Sequence, residues 1–225
     1  MALTYATTLS AGLDLPLKKG FTLYPHTKER VLLDINVDDI KTPEGYFLGI
    51  LPKSGLTFKH GVQAFPHDID LKNLYPNGKE LAATMISYSN EPYAFEDGQS
   101  VAQLVALKEE KPVLVPLQVF SEVIIPPGEY RSALTQRVVL EPDQCAIVYP
   151  AGTNPVDGIV AKFGLVDADF EDPISVCLYN ETSHPITINE NTNVAWAAIH
   201  KFVHIEGFPV IKKERGRNGF GSTGK

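Results

Sequence analysis

Eight short β-rich runs, each bounded by turn-forming residues, confine this chain to an all-β fold. They cover residues 31–37, 45–51, 83–88, 113–119, 136–140, 145–149, 174–178 and 194–205. Seventeen prolines and seventeen glycines punctuate them, and no long stretch keeps the 3.6-residue period of an amphipathic helix. Residues 101–110 (VAQLVALKEE) suit a helix by propensity as well as a strand, and a brief helical turn is expected at 70–74. With 225 residues and 44% hydrophobic content the chain can bury a large core.

The runs also repeat. Arg30-Val-Leu-Leu33 matches Arg137-Val-Val-Leu140, Leu51-Pro-Lys-Ser-Gly55 stands where the second half has Tyr149-Pro-Ala-Gly-Thr153, and Gly61-Val62 pairs with Gly158-Ile159. The offsets are 137 − 30 = 107, 149 − 51 = 98 and 158 − 61 = 97. Ser89-Asn-Glu91 parallels Tyr179-Asn-Glu181, and Val101-Ala-Gln-Leu104 parallels Val194-Ala-Trp-Ala197, at offsets of 90 and 93. Preserved order at a nearly fixed offset is the mark of tandem copies. We therefore expect two similar halves, 1–110 and 111–208, and a terminal segment, 209–225.

A formal charge of −7 excludes general affinity for nucleic acid or anionic membranes, because a polyanion demands clustered cations. No apolar run reaches the length of a membrane span, and the N-terminal residues lack the order of a secretory signal, so cytoplasm or nucleus is expected. Cys145 and Cys177 lie in apolar, strand-like contexts and read as two buried reduced thiols. His200 and His204 stand four apart and lack a third ligand; they read as surface histidines rather than a zinc site.

The basic exception is the end of the chain. Lys212, Lys213, Arg215, Arg217 and Lys225 face a single acid, Glu214, among four glycines, Phe220, Ser222 and Thr223. Glycines leave backbone N–H groups free to converge on an anion, cations neutralise it, and an aromatic face can stack on a base. A flexible glycine-rich tail has the same composition. Residues 219–225 also spell G-x-x-x-x-G-K, but a P-loop needs a strand before it, and Ser or Thr and a helix after the lysine.

Five segments together resemble the dUTPase family, whose members split dUTP into dUMP and pyrophosphate. Ala11-Gly-Leu-Asp-Leu15 is similar to the first motif, Pro52-Lys-Ser-Gly-Leu56 to the second, Gly164-Leu-Val-Asp-Ala-Asp-Phe170 to the third, Gly98-Gln-Ser-Val-Ala-Gln-Leu104 to the fourth, and the terminal segment to the fifth. Outside this resemblance Asp167 reads as an ordinary turn acid and Phe170 as a core aromatic.

The resemblance implies two barrel-like halves packed as one pseudo-symmetric monomer, with a flexible terminal lid and a single composite site. It assigns Asp167 to activation of the attacking water. Phe170 would pack under the deoxyribose, and the backbones of Gly164 and Val166 would read uracil. Lys53, Ser54, Gly55 and Gln103 would bind phosphates, and Asp14 would hold magnesium through a water. Arg215 would reach the γ-phosphate, Phe220 would stack on uracil, and Gly221, Ser222 and Thr223 would close over the terminal phosphates. Several positions depart from the family pattern: Lys53 replaces Arg, Phe170 replaces Tyr, Glu171-Asp172 replaces Arg-Gly, and Gln99-Ser100 replaces Asp-Arg. In the first half residues 61–70 have lost the spacing of the third motif, and in the second Ala151-Gly-Thr153 stands for the second motif. The alternatives are a dCTP deaminase-like enzyme and a non-catalytic protein-interaction module.

Overall fold

The computed structural model describes residues 3–69, 71, 80–151 and 157–211. The first half supplies β1 (Leu13–Pro16), β2 (Phe21–Leu23), β3 (Lys28–Leu32), β4 (Tyr46–Pro52), β5 (Val62–Ala64), β6 (His67–Ile69), β7 (Ala82–Ser87), β8 (Tyr93–Phe95) and β9 (Ser100–Lys108). The second supplies β10 (Val113–Gln118), β11 (Val123–Ile125), β12 (Tyr130–Leu134), β13 (Gln144–Pro150), β14 (Ile159–Ala161), β15 (Gly164–Val166), β16 (Ser175–Asn180), β17 (Ile186–Ile188) and β18 (Asn193–Val203).

These are two copies of one nine-strand order. Every pairing of the first half recurs in the second: β1 with β9 as β10 with β18, β2 with β8 as β11 with β17, β3-β7-β5 as β12-β16-β14, and β6-β4-β9 as β15-β13-β18. The halves join where β9 and β18 pair antiparallel through Leu107–Phe202 and Ala106–Val203. The resulting eight-stranded sheet runs β15-β13-β18-β9-β4-β6, with β1 and β10 alongside, so its strand order reads the same from either end.

The structure corrects two of the sequence correspondences. Residues 136–140 form no strand; the counterpart of β3 is β12, at an offset of 130 − 28 = 102 rather than 107. The ladder stops at Thr135, whose N–H and hydroxyl both donate to the Ile174 carbonyl (2.8 and 2.9 Å). Val138 beyond it is still buried, which is why the stretch has a strand-like composition without a strand. Likewise β7 and β16 are offset by 175 − 82 = 93, not by the 90 that aligned the Asn-Glu pairs. Residues 101–110, ambiguous by propensity, fall mostly within β9, where β1 and β4 cover both edges. A central strand buried on both faces reads as a continuous apolar run. The turn expected at 70–74 lies outside the described residues except for Leu71.

Two helical elements escape the strand pattern: a 3-10 turn at Val37–Asp39, where the run read as 31–37 is strand only to Leu32, and helix α1 (Ser54–His60), which follows β4. It ends at Gly61, whose φ of 64° lets its N–H cap the Leu56 and Thr57 carbonyls. The glycine is also required by space, since a Cβ there would lie 3.1 Å from the Tyr130 ring.

Each half has its own core. Leu13, Leu15, Leu48, Ile50, Met85 and Leu104 anchor the first, and Leu117, Ile125, Val176, Leu178 and Ile188 the second. A third cluster, with Ala11, Leu51, Val105, Leu107, Cys145, Ile147 and Phe202, straddles the junction. Burying one such aliphatic side chain contributes about 2 kcal/mol, so the junction is held mainly by packing rather than by its two-pair ladder. Both cysteines are free and buried; burial pushes the Cys177 thiol up to about 12 and Cys145 higher still.

Of the two histidines expected on the surface, His200 is buried and His204 is half-buried. His204 stacks on Tyr5 with centroids 4.0 Å apart, and its Nε2 lies 2.9 Å from the Ser10 carbonyl, to which it donates. His200 on β18 is buried, with no hydrogen-bond partner for either ring nitrogen among the described residues. Desolvation lowers its pKa from 6.5, against the smaller opposing pull of Glu110 and Asp68. The unfolded chain therefore takes up this proton first as pH falls, and stability rises with pH across the window below about 6.5. The thermal midpoint should drop between pH 7 and 5, and His200→Phe should drop less over the same interval in calorimetry.

Candidate functional site

Strand pairing sets one polar cluster in the first half. Asp14 on β1 and Leu51 on β4 both lie opposite Gln103 on β9, and Lys53 follows the last residue of β4. Lys53 Nζ donates to Asp14 Oδ2 at 2.7 Å, and Gln103 Nε2 reaches Asp14 Oδ1 at 3.4 Å. Gly12 makes room for this arrangement: a Cβ there would sit 2.8 Å from the Gln103 amide nitrogen.

The second half presents an acid to the same region. Asp167, at the end of β15, is only 3% exposed, and its Oδ1 accepts the Ala11 N–H at 2.9 Å. Ala11 lies three residues before Asp14. Two residues further on, Asp169 Oδ2 accepts the Thr7 hydroxyl at 2.7 Å, and the Thr7 N–H is in turn bonded to Ser10 Oγ. The segment from Thr7 to Ala11 thus clasps the acidic turn of the opposite half. This clasp carries no signature in the sequence beyond two ordinary hydroxyl residues.

Beside Asp167 opens a pocket of about 530 Å³, including its mouth, with walls from both halves. Ser54 and Phe58 of α1 form one wall; Gly164, Val166, Phe170, Ile174 and Ser175 form the other, with Lys162 and Cys177 also lining it. Among the described residues β15 is an edge strand that pairs with β13 alone, and its second edge bears no strand partner there. Alternating N–H and C=O groups along such an edge can match a flat ring with adjacent donors and acceptors. Phe170, partly buried against the second core, supplies an apolar platform at the same wall.

The structure thus brings Ser54, Gly164, Val166 and Phe170 to one pocket, places Asp167 next to it, and groups Asp14, Lys53 and Gln103 in a cluster joined to it by chain continuity. Gly55, the second residue of α1, does not line the pocket. Arg215, Phe220, Gly221, Ser222 and Thr223 lie outside the described residues. Phe58 and Lys162 were not singled out from the sequence, although a lone lysine in the apolar run Ile159-Val-Ala-Lys-Phe163 is a usable signal.

The arrangement is not repeated on the other side. By strand register the second-half positions of Asp14 and Gln103 are Pro116 and Trp196, which pair as the first two do, and Lys53 corresponds to Ala151. None offers a carboxylate, an amide or a cation. In the first half the third-motif spacing is intact after all, since Gly61 to Asp70 and Gly158 to Asp167 both span nine positions. What changed there is residue type: His67 stands for Gly164 and Asn73 for Phe170, at the shared offset of 97. Asp70 and Asn73 lie outside the described residues.

A divalent ion finds no protein cage here. Among the described residues no three His, Cys, Asp or Glu side chains converge. A single carboxylate, Asp14, at the edge of a phosphate-sized polar cluster fits a magnesium ion that keeps most of its waters.

A family model described as dUTPase matches the chain twice, over residues 1–122 and 116–224. The chain is 32% identical over 109 residues to the deoxyuridine 5'-triphosphate nucleotidohydrolase of Fusobacterium nucleatum subsp. nucleatum, a match spanning 48% of this chain and 71% of that protein. It is 31% identical over 120 residues to the protein of the same name from Finegoldia magna, spanning 52% and 80%. Each relative thus corresponds to about half of this chain. Among solved structures, 2'-deoxycytidine 5'-triphosphate deaminase from Agrobacterium tumefaciens superposes with a TM-score of 0.66 at 12% identity, over 85% of this chain and 90% of that one. At that identity the likeness is one of fold.

Proposed function

The chain belongs to the dUTPase family, and on that premise we infer that it is a dUTP diphosphatase with one composite active site per chain. The observation that carries this reading is the buried Asp167 carboxylate, held by the Ala11 N–H of the opposite half beside a pocket that both halves line. Uracil and deoxyribose enter the pocket, with the sugar over Phe170 and the base along the free edge of β15. Hydrolysis then needs an aligned water and a base. Asp167 accepts the proton as the water oxygen bonds to the α-phosphorus; the bond to the bridging oxygen breaks, and pyrophosphate leaves.

Lys53, Ser54 and Gln103 lie where a triphosphate would continue out of the pocket, with a point charge, a hydroxyl and an amide to donate. Magnesium, held through water by Asp14, would neutralise phosphate charge when bound. Arg215, Phe220, Gly221, Ser222 and Thr223 would complete the site as a lid over the base and terminal phosphates. The tandem halves fit a gene duplication after which each copy kept what the other lost. They also support a monomer of 24.7 kDa, to be checked by light scattering. A mass three times larger would refute the monomer and leave the chemistry standing. The acidic balance and free thiols favour a nucleotide substrate over nucleic acid, in cytoplasm or nucleus.

The decisive assay mixes purified protein with dUTP and magnesium. Pyrophosphate release with a strong preference for dUTP over dCTP supports the reading. Ammonia from dCTP would replace it with deamination, and no turnover of either would leave a non-catalytic role.

A further inference from the structure

The peptide that steadies Asp167 is itself held at its other end. Its N–H, on Ala11, donates to Asp167 Oδ1 at 2.9 Å, and its C=O, on Ser10, accepts from His204 Nε2, also at 2.9 Å. A trans peptide is planar, with C=O and N–H pointing opposite ways, so partners at both ends fix its plane. A donor at the oxygen also polarises the N–H toward its own acceptor. The imidazole is fixed in turn by the rings around it: Tyr5 stacks on it with centroids 4.0 Å apart, and Phe202 lies at 5.7 Å. Tyr5 is fully buried, its hydroxyl accepts the Ile205 N–H at 2.8 Å, and its backbone is bonded to Pro209 and Ile211. Because the Thr7 hydroxyl gives its proton to Asp169, it accepts that of Ser10 at 2.8 Å, which anchors Ser10 as well.

The other half-interface has no such relay. By the register that matches Asp14 to Pro116 and Gln103 to Trp196, the counterparts of Ser10 and Ala11 are Pro112 and Val113 (10 + 102 and 11 + 102), and that of His204 is Lys111 (204 − 93). The imidazole stands only on the side that carries Asp167.

We propose that His204 is a positioning residue for the hydrolytic step: by holding the Ser10 carbonyl it fixes the Ala11 N–H, and through it the Asp167 carboxylate that receives the proton of the attacking water. Nε2 must carry hydrogen to donate to a carbonyl, and it does so in the Nε2–H tautomer of the neutral ring as in the protonated ring, so the contact survives either charge state. A general base works only within hydrogen-bond reach of its water, and a displacement of about 1 Å can cost about a hundredfold. His204 touches neither substrate nor water, so its removal should be felt in kcat and not in binding.

This inference rests on the dUTPase reading of Asp167, and its test keeps the two apart. Wild type, His204→Phe and His204→Gln are compared in kcat for dUTP, in affinity for a non-hydrolysable dUTP analogue, and in hydrogen exchange of the Ala11 amide followed by NMR. His204→Phe keeps a ring and loses the donor; His204→Gln loses the ring and keeps an N–H donor at about the reach of Nε2. In His204→Phe, kcat should fall about tenfold, affinity should change less than about threefold, and Ala11 exchange should quicken about tenfold or more. His204→Gln should stay within about threefold of wild type in all three. An unchanged kcat or an unchanged Ala11 exchange in His204→Phe overturns the proposal. Equal impairment in His204→Gln also overturns it, since ring packing would then be the cause, and so does a parallel fall in affinity, which would make His204 a residue that shapes the pocket. Should His204→Phe not fold, His204→Asn replaces it: its amide, one carbon nearer the backbone, falls short of Ser10 and must show the losses that His204→Gln avoids. Equal behaviour of those two overturns the proposal. If wild type releases no pyrophosphate from dUTP, the hydrolase reading fails by itself, and Ala11 exchange in the same variants still decides whether His204 holds the peptide.

Discussion

Asp167→Asn should reduce kcat for dUTP by about a thousandfold while changing the affinity for a non-hydrolysable dUTP analogue by less than about threefold. The substitution keeps shape and one carbonyl oxygen, which can still accept the Ala11 N–H that meets Oδ1 at 2.9 Å. What it removes is proton affinity. An amide cannot take the proton of the attacking water, so the loss belongs to the chemical step and not to binding. Single-turnover pyrophosphate release against analogue binding distinguishes the two, and a parallel fall in both would mean that Asp167 only shapes the pocket. The thermal midpoint gives a control, because a collapsed clasp between halves would appear there first.

Removal of residues 215–225 is the second large effect. We expect kcat/KM for dUTP to fall by about a hundredfold or more, the loss of a lid's phosphate contacts and water exclusion, with the thermal midpoint unchanged. The described structure ties the chain just before that segment to Tyr5. Tyr5 donates its N–H to the Pro209 carbonyl and accepts that of Ile211, both at 3.0 Å, and its hydroxyl accepts the Ile205 N–H at 2.8 Å. The same stretch of chain continues through Thr7 and Ser10 to Ala11, the donor to Asp167. Ile211, the last described residue, is thus bonded to the stretch of chain that reaches Asp167. Full activity in the truncated protein would show that the glycines and cations at the end of the chain serve something else.

The longer strands were readable from the sequence because a buried strand writes its burial into the sequence. β4, β7, β10, β13, β16 and β18 all coincide with apolar runs. The three-residue strands β2, β8, β11 and β17 were not, since three residues cannot display a period of two. Helix α1 was hidden for a similar reason: its seven residues make just under two turns, too few to display a 3.6-residue period. Residues 136–140 misled in the opposite sense, by filling a core without joining a ladder.

For the candidate site, residues such as Asp167, Ser54 and Phe170 were visible only through the resemblance of their segments to the family motifs, since by residue type alone Asp167 reads as a turn acid and Phe170 as a core aromatic. The Ala11 N–H was invisible because a backbone group is anonymous in sequence. Lys162 was overlooked because its environment, the ring of Tyr88 from the other half, arises only when the halves meet.

That meeting has a kinetic signature. Both walls of the pocket and the Ala11–Asp167 bond belong to one covalent chain, so closing the site is an intramolecular event with a fixed effective concentration. Specific activity should therefore hold constant on dilution into the low nanomolar range, where a site shared between separate subunits would come apart.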